Sequence, residues 1–363
     1  MEDMVNENLF QGIYKGKKVF VTGHTGFKGS WLIARLHLLG AEVRGYALKP
    51  EKESLYNCID GDNLSNSFIG DIRAKETLKE SIVSFEPDFL FHLAAQPLVI
   101  NSYEIPTDTF EINVSGTSNV LDAIRFLKKQ CSVVIITTDK VYKNKDWVFP
   151  YRENDSLGGY DPYSASKACA ELVVSSYRNS FFNPTKFSTH RKTIATARAG
   201  NVIGGGDWSK DRIIPDIIRA LKNEKDIAVR NPESIRPWQH VLEPIEGYLL
   251  LGAAIKNDPQ NILLQTLNFG PISNDVLPVS TLVKKAIDRW GGGNFYTPES
   301  KNHPHEAAIL KLDITKANEL LNWYPKLNSE TAINWTIDWY KQPDVIKQRE
   351  FTFKQIKEFS VLL

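Results

Sequence analysis

Cysteine is scarce in this chain: Cys58, Cys131 and Cys169 are the only three in 363 residues. They stand far apart and form no CxxC pair, which excludes a disulfide framework and argues against structural zinc or another bound metal. Neither sign of charge is in surplus. Lys and Arg number 44 against 43 Asp and Glu, so the basic excess of a nucleic-acid binder is missing. Long apolar runs are missing too. The longest, residues 248–255 (YLLLGAAI), falls far short of the ~20 residues that span a membrane. The first ten residues, MEDMVNENLF, show neither the basic nor the apolar part of a secretory leader. Apolar residues still make up 42%, too many for a disordered chain. The expectation is a soluble, cytoplasmic, globular protein with no membrane or nucleic-acid partner.

What is present is alternation. Residues 18–22 (KVFVT) are a short β-branched and aromatic run that ends in glycine. Residues 27–39 place Trp31, Leu32, Leu36 and Leu39 on one helical stripe, closed by Gly40. A second strand is predicted over 42–48 and an apolar run over 88–94. A helix follows over 115–129, then a strand of the continuously buried kind over 132–138 (SVVIITT), a long helix over 162–181 and another strand over 193–199. Strands separated by helices predict an α/β fold: a Rossmann-type, doubly wound parallel sheet covered on both faces. Beyond residue 201 glycine and proline cluster, as in GNVIGGGDW, RNPESIRPW and RWGGGN, while helical patterns continue at 213–223, 244–256, 280–290 and 314–321.

The turn VTGHTGFKG, residues 21–29, lies between the first strand and the first helix. Gly23 allows a tight turn, Gly26 lets backbone N–H groups approach a pyrophosphate, and Gly29 permits close packing of helix on strand. The helix N-terminus adds partial positive charge. A Walker loop is excluded because Lys28 precedes Gly29-Ser30. An acid that would hold the adenosine ribose is absent from 43–49 (VRGYALK), and the first acid afterwards is Glu51. The choice between NAD and NADP therefore stays open at this position. Arg44 and Lys49 suit a 2′-phosphate or are equally well solvated charges. The organisation that follows is a dinucleotide-binding domain over 15–200. A smaller mixed substrate-binding portion covers 201–340, with some segments returning to the sheet, and a peripheral helix covers 341–363.

Two further features carry chemistry. Tyr163 and Lys167 stand four apart on a predicted helix, so phenol and ammonium share one face. A cation there favours phenolate and would lower the tyrosine pKa towards that of a usable base. The segment TTDKVY, residues 137–142, closes a buried strand, where ligands of open α/β sheets bind. Its Thr138, Asp139 and Lys140 offer a hydrogen-bond donor, an acid and an amine. Trp238, Trp290 and Trp323 read as core or interface rather than cofactor-stacking residues, and the His303/His305 pair as a loop near the sugar site rather than a metal pair.

With TGHTGFKG, HLAAQP (92–97), NVSGTSNVL (113–121), TTDKVY, DPYSASK and ARAGNVIGGGDW (197–208), the chain resembles the extended short-chain dehydrogenase/reductase family over nearly its whole length. ENDSLGGYDPYSASK, GNVIGGGDW and RPWQHVLEP (236–244) resemble its CDP-glucose 4,6-dehydratase branch. The resemblance implies an NAD-dependent hydro-lyase. It would oxidise C4 of CDP-glucose, remove water across C5 and C6, and return the hydride to C6, in deoxysugar synthesis for the lipopolysaccharide O-antigen. Tyr163 would be the C4 base, Lys167 the ribose ligand, Thr138 the O4 donor, Asp139 the general acid and Lys140 the C5 base. The cofactor would lie on Gly23, Thr25, Gly26, Phe27, Lys28, Gly29, Asp71, Ile72, Leu93, Ala94 and Ala95. Gln96, Asn113, Asn201, Arg212, Arg236 and His305 would serve the substrate. Lysine at 140 acts as a base only when neutral, and burial, the charge of Lys167 and oxidised nicotinamide would all favour that form. The helices at 115–129 and 162–181 resemble those that build a homodimer, with a tetramer left open. Other nucleotide-sugar 4,6-dehydratases, including those acting on UDP-N-acetylhexosamines, and the 4-epimerases are the nearest competing readings. An epimerase has no use for an acid–amine pair at C5 and C6. A silent dinucleotide sensor of this fold is more distant, since it would not need Tyr163, Lys167, Thr138 and Asp139 together.

Overall fold

The computed structural model describes residues 9–298 and 310–363. Seven parallel strands form one sheet: β1 (Lys18–Thr22), β2 (Glu42–Ala47), β3 (Asn66–Ile69), β4 (Phe89–His92), β5 (Cys131–Thr138), β6 (Lys192–Ala199) and β7 (Thr266–Phe269). Their spatial order is β3-β2-β1-β4-β5-β6-β7, with parallel register throughout. The order reverses between β1 and β4, and the crevice beyond their carboxyl ends is where open α/β sheets bind ligands.

All eight residues of β5 and all eight of β6 are buried, as expected of strands covered on both faces. Side chains alternate between the two layers. Val19, Val21, Val134 and Ile136 enter one core cluster, with Trp31 and Leu32 of helix α1 (Phe27–Leu38). Phe20, Val133 and Ile135 enter the other, with Leu78 and Ile82 of α2 (Lys75–Phe85), Val120 and Ile124 of α3 (Gly116–Ile124), and Val174 of α4 (Pro162–Ser180). A strand's period of two delivers one set of side chains to each layer. The edge strand β3 is mostly exposed, its Phe68 stacked on Tyr46 with centroids 5.4 Å apart.

Downstream come α5 (Ile213–Lys222), α6 (Leu242–Asn257), α7 (Val279–Trp290), α8 (Thr315–Leu321), α9 (Ser329–Tyr340) and α10 (Val345–Val361). Between α6 and α7 the chain returns to the sheet as β7, pairing with β6. A buried ion pair ties α1 to α6: Arg35 Nη2 lies 2.9 Å from Glu246 Oε1, while Arg35 Nη1 donates to Ser360 of α10 at 2.8 Å. Trp238 and Trp323 are core residues and Trp290 packs against the same core. The predicted helix over 115–129 is shorter than expected. Its regular part ends at Ile124, and one π-helical turn, Glu111–Ser115, precedes it.

Candidate active site

The glycine turn has the geometry of a phosphate cradle. Gly23 has φ of +73°, and a Cβ there would sit 2.7 Å from the Ala94 nitrogen. A Cβ on Gly29 would meet the Gly23 carbonyl at 2.1 Å, while one on Gly26 would meet only that oxygen, at 3.4 Å. The first and third glycines are thus demanded by backbone contact, and the middle one leaves the approach open. No side chain caps the start of α1, so its first N–H groups, at Phe27 and Lys28, are presented to whatever lies above the turn. Thr25 donates to the Leu48 carbonyl at 2.9 Å and pins the turn to the end of β2. Thr22 Oγ1 accepts from the N–H groups of Leu93 and Ala94, each at 3.2 Å, and sits 2.7 Å from His92 Nδ1. This draws the 93–95 loop, with Ala95, alongside the turn. Burial and then the charge of Lys167 push the His92 pKa down to about 3, so its imidazole is neutral. These residues fit a dinucleotide.

Of the pair expected at the adenine, Asp71 is held by Arg73 at 2.7 Å, and Ile72 is buried against Gly116. Arg44 is not placed for a 2′-phosphate. It stacks 4.5 Å from the centre of the Phe85 ring and donates to Ser84 at 3.1 Å, because its register sets it mid-strand, opposite Phe20 and Asn66.

Asp161 starts α4 by accepting from the Ser164 N–H at 2.9 Å and its hydroxyl at 2.6 Å, with Pro162 in the first turn. Tyr163 then opens onto a cleft of about 360 Å³ beyond the sheet ends. Thr138, Asp139, Lys140, Lys28, Asn201, Arg212 and Arg236 line the same cleft. Asp139 is 1% exposed. Its Oδ1 accepts from the Thr138 hydroxyl at 2.8 Å, and its Oδ2 is buried without a partner among the described residues. Lys140 Nζ lies 3.9 Å from that Oδ1, with a side chain 31% exposed. The burial expected at Lys140 is therefore partial. Lys28, on the same cleft, has its pKa lowered to about 7 by desolvation first and then Arg212, with Asp139 opposing.

Tyr163 also departs from expectation. Burial raises its pKa to about 12, against a hydrogen bond with Thr138. The Lys167 ammonium is turned to the sheet, donating to the Ile136 carbonyl at 2.9 Å. Burial lowers the Lys167 pKa to about 8, with Glu171 opposing.

Arg212 pairs with Asp207 at 2.8 Å and Arg236 Nη1 donates to the Ile235 carbonyl at 3.1 Å. Gln96 and Asn113 are not among the residues lining the cleft. Both are buried, the Gln96 N–H bonded to Asn113 Oδ1 at 2.9 Å and Asn113 Nδ2 to Ser166 at 2.8 Å, so they brace the loop after β4. His303 and His305 lie outside the described residues. Trp238, read from sequence as core, is also part of the cleft wall, and its indole N–H and Asn201 Nδ2 are buried donors without acceptors among the described residues. They sit on neighbouring backbone, since the Gln239 N–H donates to the Asn201 carbonyl at 3.1 Å. Only this strand pairing reveals that; the sequence carries no signal for it.

The signature of the family described as GDP-mannose 4,6-dehydratase matches residues 20–336. The chain is 48% identical to the CDP-glucose 4,6-dehydratase of Salmonella typhimurium over 339 residues, 93% of each chain. It is 26% identical to the CDP-paratose 2-epimerase of Salmonella typhi, covering 89% of this chain and 98% of that one. In fold it is similar to the dTDP-glucose 4,6-dehydratase of Bacillus anthracis, solved in complex with NAD. The TM-score is 0.72 at 18% identity, over 91% of this chain and 98% of that one. With the signature spanning most of its length and the glycine turn, Tyr163 and Asp139 arranged around one crevice, the chain belongs to the GDP-mannose 4,6-dehydratase family.

Proposed function

We propose that this chain is a CDP-glucose 4,6-dehydratase, converting CDP-D-glucose into CDP-4-keto-6-deoxy-D-glucose with loss of water. The observation that carries the reading is that Tyr163, Thr138, Asp139 and Lys140 share one cleft with Arg212 and Arg236. The relative of 48% identity supports the choice of CDP-glucose. The glycine turn, with Lys167 at the nicotinamide ribose, would hold NAD, which would supply the hydride acceptor for C4 and donor for C6.

Tyr163 takes the proton of the C4 hydroxyl while Thr138 holds that oxygen. The C4 ketone acidifies the C5 hydrogen, which Lys140 removes as a proton. Asp139, buried and next to Thr138, protonates the departing C6 hydroxyl, which leaves as water, and C5 is reprotonated at the end of the cycle. Lys167 holds the nicotinamide ribose, and the guanidinium forks of Arg212 and Arg236 suit the substrate diphosphate.

Exposed Leu172 and Phe181, along α4 and at its end, support a homodimer through α3 and α4. Three free cysteines suit the reducing cytoplasm. No described helix is long and apolar enough to cross a membrane.

The test is turnover of CDP-, dTDP-, UDP- and GDP-glucose by the purified protein with NAD. CDP-glucose is expected to give the 4-keto-6-deoxy product, detected by its absorbance in alkali and by mass loss of one water. Preference for another base would move the chain to a sister dehydratase. A 4-epimer that keeps its C6 hydroxyl would overturn the dehydration.

A further inference from the structure

Asp139 and Lys140 stand on one short 3-10 turn, Asp139–Val141. Neither side chain anchors that turn to the body of the protein; the residues on its two sides do. On the near side Thr137 donates its hydroxyl to Glu171 Oε1 at 2.6 Å. On the far side the Tyr142 hydroxyl accepts from Arg198 Nη1 at 2.8 Å and donates to Asn268 Oδ1 at 2.7 Å. Glu171 and Arg198 are themselves joined by two bonds: Nε to Oε1 at 2.9 Å and Nη2 to Oε2 at 3.2 Å. Both are buried, so a single ion pair, formed between α4 and β6, holds both shoulders of the turn.

Stability alone is a weak reason for such a pair. A buried salt bridge is often matched or bettered by apolar residues of similar volume. What a two-pronged guanidinium–carboxylate pair adds is fixed geometry. Tyr163 and Lys167 do not depend on it in the same way. They are set by the course of α4, by its Asp161 cap and by the Ile136 carbonyl. We propose that Glu171 and Arg198 are positioning residues for Asp139 and Lys140, required for loss of water across C5 and C6 but not for oxidation at C4. The inference rests on the dehydratase reading above.

Glu171 is a poor residue to alter first, because its charge also favours the protonated form of Lys167. The shoulders are cleaner. Thr137→Val removes one bond at nearly constant volume. Tyr142→Phe removes the two bonds on the far side, to Arg198 and Asn268, and keeps the ring stacked on Tyr151, 5.1 Å away. Both leave the ion pair intact.

The enzyme with NAD is assayed with two substrates. CDP-glucose reports the whole cycle and solvent deuterium uptake at C5. CDP-6-deoxyglucose, which has no C6 hydroxyl to lose, reports C4 oxidation alone through reduced-nicotinamide absorbance. In the double variant dehydration and C5 exchange are expected to fall about 100-fold, the cost of misplacing catalytic groups by about an ångström. Oxidation of the 6-deoxy analogue falls far less, since of this segment it needs only Thr138, which is also held by strand pairing opposite Ala199, and Thr137→Ser, which retains the hydroxyl, restores turnover relative to Thr137→Val. An equal loss of both activities, or no loss of either, overturns this inference while leaving the dehydratase reading in place. A wild-type protein that acts on neither substrate overturns that reading and this inference with it.

Discussion

Replacing Gly200 by alanine tests whether the buried carboxylate of Asp139 delivers the proton. Gly200 follows β6, and it is not among the glycines with positive φ, so its backbone accepts a side chain. The space does not. A Cβ there would lie 2.8 Å from Asp139 Oδ2 and 3.2 Å from its Cγ. Relief to an ordinary contact distance requires the carboxylate to retreat by roughly half an ångström. Asp139 has little freedom to do so, since Oδ1 is already bonded to Thr138 at 2.8 Å. The displaced oxygen is the one without a partner, the atom left for the substrate. A full ångström of misplacement costs up to ~100-fold, so half of it should lower kcat about tenfold, or ~1.4 kcal/mol of transition-state stabilisation. Steady-state kinetics on CDP-glucose and a thermal melt check this. KM and Tm should barely move, because the change touches neither Arg212 nor Arg236 nor the sheet core. A kcat equal to wild type in a folded Gly200→Ala protein would refute the reasoning and remove Asp139 from the acid's role.

Lys140→Met should abolish solvent deuterium incorporation at C5; incorporation at the wild-type rate would assign the C5 base elsewhere. The protein as isolated should carry NAD, released on denaturation. Gly29→Ala, whose Cβ would approach the Gly23 carbonyl to 2.1 Å, should be isolated without it, and equal NAD content in the two proteins would contradict the cradle. Glu243 predicts a pH dependence of stability. Burial raises its pKa to about 7, against the N–H groups of Leu327 and Lys326, from an ordinary value of 4.5. A raised folded-state pKa stabilises the fold below the unfolded value, and that benefit is lost as pH climbs from about 4.5 through about 7, on the order of 3 kcal/mol in all. Glu243→Gln should remove it. The Tm of the wild type should therefore fall relative to that of the variant between acid and neutral pH, and a constant gap between the two melts would exclude a buried, proton-binding Glu243.

Local pattern carried far in this chain. The predicted strands over 18–22, 132–138 and 193–199 and the helices over 27–39 and 162–181 lie within a residue of the observed elements, because each has a period or a continuous apolar run of its own. The edge strand β3, mostly exposed and four residues long, has neither. Helix α2 (KETLKESIVSF) buries only Leu78, Ser81, Ile82 and Phe85, too few apolar positions to mark it off from the charged residues around them. Within the site, TTDKVY and YSASK announced their chemistry through residue type and spacing. The side chains that do not reach the cleft could not be told in the same way. Gln96 and Asn113 are polar residues beside a strand end, and only hydrogen bonds formed on folding turn them inward: Asn113 to the Gln96 backbone, and the Gln96 side chain to Thr109 and Leu98.

From the linear order alone came the α/β class, the glycine turn and the residues able to move protons, since each depends on neighbours a few positions away. Folding settled which of those residues meet. It brought Gly200 against Asp139, joined Glu171 to Arg198 across 27 positions, and returned Thr266–Phe269 to the sheet beside β6. Such contacts depend on strand order and burial, and a charge or a methyl group feels them only through atoms that the chain delivers from far away.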